Sequence, residues 1–355
     1  MALLIEHLDR HVVEPLAICP GPGELTDHLQ ALDCPVVHIP LYHIKLRTLR
    51  RVWRANRAIR RVLLDRRVDI ISPDASRDAL TCGLAKLGTP TKMVWFIRQT
   101  GRYPLDPLLQ RLADGMIGDS DDTGRRFSRR VRDSGKFRTI WAGADLRRFR
   151  PAADRHAVRA ALGLPPERFI LLFAGQVKRA KGVLDLVDAL SLLARDLAPD
   201  RVPLLLIIGT PDPPAIVAEI ARHAADGGVA PLVRVLPQQT HIEEWMQAAD
   251  LLVSGSHEDT EGMSRVLYEA MACGTVPVAT DIRGNRDALT PETGVLVPER
   301  SPERIARAVQ ELAADPGRLA RMREHAGRRA RELFDISRHV RGVERFYLEV
   351  LGRSS

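Results

Sequence analysis

Short apolar runs alternate along the chain with longer stretches in which apolar residues recur every three or four positions. The first kind reads as strands buried on both faces, the second as helices lying on them. The first part of the pattern predicts an amphipathic helix over Ala2–Arg10, a strand over Pro15–Cys19, a helix over Leu25–Leu32 and a strand over Pro35–Ile39. A long helix over about 44–64 follows, then a strand at Val68–Ser72, a helix at Ser76–Leu87 and a strand at Lys92–Ile97. A further strand, Gly115–Gly118, precedes a basic helix at Thr123–Arg132 and a last short strand at Phe137–Trp141. A helix at Arg155–Leu162, stopped by Gly163, opens a second series. Its strands are Phe169–Ala174, Pro203–Ile208, Val233–Leu236, Leu251–Val253, Val276–Ala279 and Gly294–Val297, with helices between them. The final helix, Ser337–Leu351, carries Val340, Val343, Phe346, Tyr347 and Leu351 at helical spacing. Strands alternating with helices in this way imply an α/β chain with two doubly wound parallel sheets.

Composition sharpens this. A chain of 355 residues, 45% hydrophobic and 28% charged, has room for two globular domains. No run of about 18 apolar residues suggests a membrane span, and MALLIEHLDRHVVEP lacks the basic start and small-residue cleavage site of a secretory signal. Cys19, Cys34, Cys82 and Cys273 are too widely spaced for a C-x-x-C pair or a disulfide framework. A cytoplasmic protein without structural zinc is the expectation.

Charge is distributed unevenly. Residues 1–150 hold 27 Lys and Arg against 17 Asp and Glu, a net of +10, while the remainder holds 26 against 28. Much of the excess sits on the long helix, in Lys45, Arg47, Arg50, Arg51, Arg54, Arg57, Arg60 and Arg61, and no acid occurs from Lys45 to Leu64. Leu49, Val52, Ala55, Ile59, Val62 and Leu63 form its apolar stripe. A charge run is ordinarily a solvated face, yet this amphipathic pattern also fits an anionic membrane surface. With 5% aromatics and no helix-turn-helix or RNA-binding signature, no nucleic-acid partner is expected.

The stretch richest in chemistry runs from Ser254 to Asp287. Glu261 and Glu269 are separated by seven residues. Ser264 is a good N-cap for a helix through Glu269, and Gly274 is a good stop before the strand Val276–Ala279. Asp281–Asn285 reads as a polar turn, and Arg286 beyond it as a surface charge. If every step from Glu261 to Glu269 were helical, the two would lie about 12 Å apart. The free amides near Ser264, Arg265 and Val266 would suit an anion. Taken alone, E-x7-E is the acidic helix start that the dipole favours anyway. A second anion site is suggested by Gly175-Gln176-Val177-Lys178-Arg179-Ala180-Lys181-Gly182, a Gly turn with cations between a strand and a helix. An ordinary loop with solvated cations accounts for it equally well.

The string EGMSRVLYEAMACGTVPVATDIRGN strongly resembles the donor-site signature of the retaining family 4 glycosyltransferases. The resemblance covers about 140–350 well and 10–140 loosely. It implies the GT-B fold, two Rossmann-like domains facing across a cleft: an N-terminal acceptor-side domain over 1–147, a donor-binding domain over 148–334, and a C-terminal helix over 335–355 that crosses back. Ile140–Asp154 is similar to the family's interdomain linker. The family's first strand and Gly-rich loop would precede a segment like IEHLDRHVVEPLAICPGPGEL, so an absent first strand is expected to leave a slot in the N-terminal sheet.

The resemblance also assigns roles. Glu261, with Gly262 and Met263, would hold the sugar on the donor's face, Glu269 the ribose hydroxyls, and Gly175, Lys181 and the amides of Ser264–Val266 the diphosphate. Gln176 stands where the family has Arg, leaving Lys178 and Arg179 as nearby replacements. Gly209 falls in a loop near the nucleotide. Arg98 occupies the place of a His at the end of its strand and would meet a phosphate or acidic acceptor. His257 reads as a loop residue. The implied reaction is sugar transfer with retention from a nucleotide-diphosphate sugar, as co-substrate and without a required metal or other cofactor, to a glycolipid or envelope polysaccharide at the inner membrane face. Epimerisation of a nucleotide-sugar, or an impaired nucleotide-sugar-binding partner protein, are the alternatives.

Overall fold

The run Lys92–Ile97 shows how the apolar segments become strands: all but its first residue are buried, so it has no solvent face to keep polar. A computed structural model describes residues 1–42, 46–98, 101–258 and 263–353. The chain forms two units, Met1–Gly143 with Ile336–Ser355, and Ala144–Asp335. It passes from the first to the second at 143/144, not 147/148, and returns at 335/336.

The first unit begins with α1 (Ala2–His7), β1 (Ala17–Cys19), α2 (Glu24–Ala31) and β2 (Val36–His38). Next come α3 (Leu49–Asp65), β3 (Ile70–Ile71), α4 (Ser76–Ala85) and β4 (Lys92–Ile97). The series ends with α5 (Asp106–Leu112), β5 (Gly115–Gly118), α6 (Asp121–Arg125), α7 (Arg129–Arg132) and β6 (Phe137–Thr139). All strand pairs are parallel, but they make two separate sheets, β1-β2 and β3-β4-β5-β6. Residues 1–14 supply a helix and no strand.

Three local expectations change here. The long helix starts at Leu49, after a 3-10 turn at Leu46–Thr48. Thr123–Arg132 is two short helices: Ser120 caps the first through the Thr123 amide, and Phe127, buried against Trp95 and Phe137, pulls the chain out of helix before Ser128. The helix α5 had no periodic signal long enough to read. Its Asp106 receives a buried Arg126 guanidinium (Nε–Oδ2 2.7 Å), which satisfies both charges.

The second unit opens with α8 (Arg155–Ala161), β7 (Ile170–Ala174), α9 (Val183–Asp196), β8 (Leu204–Ile208), α10 (Ile216–Asp226) and β9 (Val233–Leu236). It continues with α11 (Ile242–Ala248), β10 (Leu251–Ser254), α12 (Arg265–Ala272), β11 (Val276–Thr280), α13 (Arg283–Ala288) and β12 (Val295–Val297), and closes with α14 (Pro302–Ala314) and α15 (Pro316–Leu333). One parallel sheet has the order β12-β11-β10-β7-β8-β9. Its centre is buried at every residue of β7, β8, β10 and β11, and apolar but for Ser254 and Thr280 at the ends of the last two. Pro277 sits second in β11, where its missing N–H is tolerated. Of the segment read as a polar turn, Asp281–Asn285, the last three residues begin α13.

The last helix, α16 (Ile336–Leu351), belongs to the first unit. Val340, Val343, Phe346 and Tyr347 pack with Leu4 and Leu8 of the N-terminal segment and with Val94, Phe96 and Ile117 of the sheet. Glu344 Oε1 accepts the Asp9 N–H at 2.7 Å, tying the end of α1 to α16. The Phe346 ring lies over Gly115, where a Cβ would come within 2.8 Å of it. Phe346→Ala is expected to cost about 3 kcal/mol through the cavity it leaves, read as a lower urea midpoint for the first unit.

Candidate active site

In the second unit the strand order reverses between β7 and β10: β8 and β9 follow β7 to one side, β11 and β12 follow β10 to the other. Loops leaving the two strands diverge there, and a crevice opens at their carboxyl ends. It holds a cavity of about 300 Å³ lined from β7 by Phe173, Ala174 and the following loop, from β10 by Val253 and Ser254, and from α12 by Ser264 and Val266.

Glycines bring the walls together. Gly182, at φ +66°, lies against the backbone of Gly255, and a Cβ on it would stand 2.1 Å from the Gly255 oxygen. The His257 N–H bonds the Ala180 oxygen (2.9 Å), and His257 Nε2 faces Asp185 Oδ2 at 3.3 Å in the first turn of α9. His257 therefore ties two loops together, in keeping with its reading as a loop residue. On the other side Gly209 packs behind Gly175, leaving no room for a side chain, and Val177 pairs with Pro211. Below, Thr280 Oγ1 donates to the Ser256 oxygen, and Asn285 Nδ2 donates to the Thr280 oxygen at 2.9 Å. This buried chain explains why Asn285 belongs to a helix and not a loose turn.

The cavity is basic. Lys178 and Lys181 line it, and no carboxylate does among the described residues. Lys181 is only 8% exposed. Burial first, and Lys178 second, bring its ammonium down to about 8. The first N–H groups of α12 have no intrahelical acceptor and carry the positive end of its dipole. Ser264 occupies the cap position in an extended backbone conformation (φ −77°, ψ 107°), without a side-chain capping bond.

Of the residues the sequence selects, Gly175, Gln176, Lys181, Ser264 and Val266 meet in this lining. Gly209 supports it from behind. Met263 is buried beside it, and Arg265 points its guanidinium at Glu269 Oε1 (3.1 Å). Glu269 is outside the lining. Its carboxyl is pushed up by burial, against the pull of Arg265. Glu261 and Gly262 lie outside the described residues, as do Asp259 and Thr260. Arg98 belongs to the other unit, at the end of β4, with Nε 3.8 Å from Asp74 Oδ2. Gln176 does not reach for an anion: its Nε2 donates to Asp212 Oδ2 at 2.8 Å. Arg179 pairs with Glu219 at 2.8 Å, so Lys178 is the cation left to replace the missing Arg. Sequence reasoning missed Gly255 and Ser256. A glycine directly after a buried strand was the one available signal for Gly255.

Among the described residues no group of three or more His, Cys, Asp or Glu side chains is placed to hold a metal ion. Two lysines, backbone amides and small residues make a site for a doubly charged anion such as a diphosphate.

The family model described as "Glycosyl transferases group 1" matches residues 154–332. A D-inositol 3-phosphate glycosyltransferase of Jonesia denitrificans is 37% identical over 208 residues, 56% of this chain and 48% of that protein. The chain spans about half the length of the curated relatives it matches. Among solved structures, a glycosyltransferase from Rickettsia africae superposes with TM-score 0.87 at 19% identity, covering 99% of this chain and 94% of that one. Anabaena HepE in complex with UDP gives TM-score 0.79 at 18% identity, covering 96% and 93%.

Anion binding here should depend on pH through Lys181. The charged ammonium is the binding form, and an anion beside it raises its pKa. Pyrophosphate affinity, measured calorimetrically, is therefore expected to be full below about pH 8 and to fall above it. Lys181→Arg, which stays charged, should abolish that fall.

Proposed function

The chain belongs to the glycosyl transferases group 1 family and has the GT-B fold of its structural neighbours, and we propose that it transfers a sugar, with retention of configuration, from a nucleoside diphosphate sugar to an envelope glycan or glycolipid. The basic, glycine-walled cavity at the β7/β10 reversal is the observation that carries this reading.

Breaking the glycosidic bond leaves negative charge on the departing diphosphate and positive charge at the anomeric carbon. Lys181, Lys178 and the first amides of α12 stabilise the diphosphate, doing the work a divalent cation performs elsewhere. Glu261 holds the sugar hydroxyls, and the acceptor hydroxyl attacks on the face the diphosphate leaves, without a covalent bond to Glu261. Glu269, paired with Arg265, accepts hydrogen bonds from the ribose hydroxyls. UDP is the favoured nucleotide, since HepE has been solved with UDP and with UDP-glucose.

The first unit lies outside the family-model match, and there the acceptor is read from chemistry. Helix α3 turns Arg50, Arg54, Arg57 and Arg61 to solvent beside Leu49, Leu64 and a 60% exposed Trp53. Arginines flanking an exposed Trp suit anionic headgroups, which supports a peripheral position on the inner membrane face and a lipid-linked acceptor such as a lipopolysaccharide precursor. No described helix is long and apolar enough to cross a membrane. Arg98, at the end of β4 and ion-paired with Asp74, is the cation this reading assigns to an acceptor phosphate. The names of the relatives offer a second acceptor class, an inositol phosphate.

A thermal-shift screen of UDP-, GDP-, ADP- and dTDP-sugars is expected to show stabilisation by UDP-sugars, and no shift with any of them would count against the reading. Glu269→Ala should weaken donor binding by roughly 10- to 100-fold, the worth of hydrogen bonds to a charged acceptor; unchanged affinity would remove its ribose role. Flotation with vesicles containing anionic lipid is expected for the wild type and lost in Arg54→Glu/Arg57→Glu.

A further inference from the structure

The same sheet has a second cavity, of about 330 Å³, at the amino ends of β10 and β11. Ala249 precedes β10, and Cys273 and Gly274 join α12 to β11; all three line it. Strand β10 and helix α12 thus each run from one cavity to the other, and an eight-residue helix spans about 12 Å. The second cavity is a separate place.

Its charge is unbalanced. Arg155, Arg323 and Arg331 line it against one carboxylate, the exposed Glu324. Behind them Asp250, its side chain 11% exposed, serves three guanidiniums. Asp250 Oδ1 accepts from Arg155 (2.7 Å) and Arg323 (3.1 Å), and Oδ2 from Arg159 (2.7 Å) and the Ile170 N–H (2.8 Å). Its lone pairs are therefore all used. Arg159 is consumed by the fold, since its other nitrogens donate to the oxygens of Ala248, Pro166 and Arg168, and Arg155 is partly so, its Nε and Nη2 also donating to the Ala248 oxygen (3.3 and 3.1 Å). Arg323 is not: its Nε is buried and has no hydrogen-bond partner among the described residues. Burial, with Arg323 and Arg159 adding to it and Asp250 opposing, holds Arg155 below its usual range. The end of α12 brings about half a negative charge to this cavity, which three arginines outweigh.

Clamping α8 and α15 to the sheet through Asp250 needs no such excess, and it gives Arg331 no role. We propose that this basal cavity is a binding site for a small phosphorylated anion, held by Arg155, Arg323 and Arg331 and sized for a phosphate or a sugar monophosphate. Cavities of this volume are within the range of small-molecule sites.

Inorganic phosphate and glycerol 3-phosphate, titrated calorimetrically into the full chain at low ionic strength, test this. Binding is expected in the wild type and in Lys181→Ala, which removes the buried one of the two lysines of the other cavity. Arg323→Gln and Arg331→Glu should each weaken it by about tenfold. Glu324→Gln should tighten it by roughly fivefold, a gain that a purely structural cluster does not predict. Arg331 and Glu324 are exposed, so their variants decide the matter even if Arg323→Gln unfolds. No binding by the wild type, or binding lost in Lys181→Ala and unchanged in Arg331→Glu and Glu324→Gln, would overturn the proposal.

Discussion

The candidate site depends on one contact without side chains, the backbone of Gly182 against the backbone of Gly255. At the reversal point, the loops after β7 and β10 would separate if either carried a larger residue. Because they touch, Lys181 is drawn under cover and its ammonium destabilised until an anion arrives. The bond from His257 to Ala180 and the pairing of His257 with Asp185 hold the same two loops from outside the cavity. Geometry and electrostatics here have a single cause: close approach gives burial, and burial makes the charge available to a ligand and not to water.

The two ends of the second unit's sheet treat positive charge differently. At the carboxyl ends, two lysines and helix amides surround space without a described carboxylate. At the amino ends, one fully committed carboxylate organises three arginines and leaves part of their charge over. Strand β10 and helix α12 each run from one of these ends to the other.

Most of the second unit was legible in the sequence because its central strands are almost wholly apolar and most of its helices are long enough for several turns of periodicity. The first unit was less legible where elements are short. Phe127 broke a basic run into two helices because burial against Trp95 and Phe137 outweighed local helix propensity. Helix α5 offered too few turns to read, and Asn285 looked like a turn residue until its bond to Thr280 placed it under the site. The departure at Gln176 was visible as a missing charge, but its consequence was not. Only the fold turns Gln176 toward Asp212 and Arg179 toward Glu219, leaving Lys178 in the lining.

By itself, the sequence determined the alternation of buried strands and amphipathic helices, the excess of positive charge in residues 1–150, and the family signature around Glu269. These are local or additive properties, carried by composition and spacing. The tertiary structure decided which glycines touch, which cations share a cavity, and that Asp250 faces three arginines. Those outcomes depend on residues dozens of positions apart in sequence, such as Gly182 with Gly255 and Arg155 with Asp250 and Arg323, which meet only after the strands take their order in the sheet.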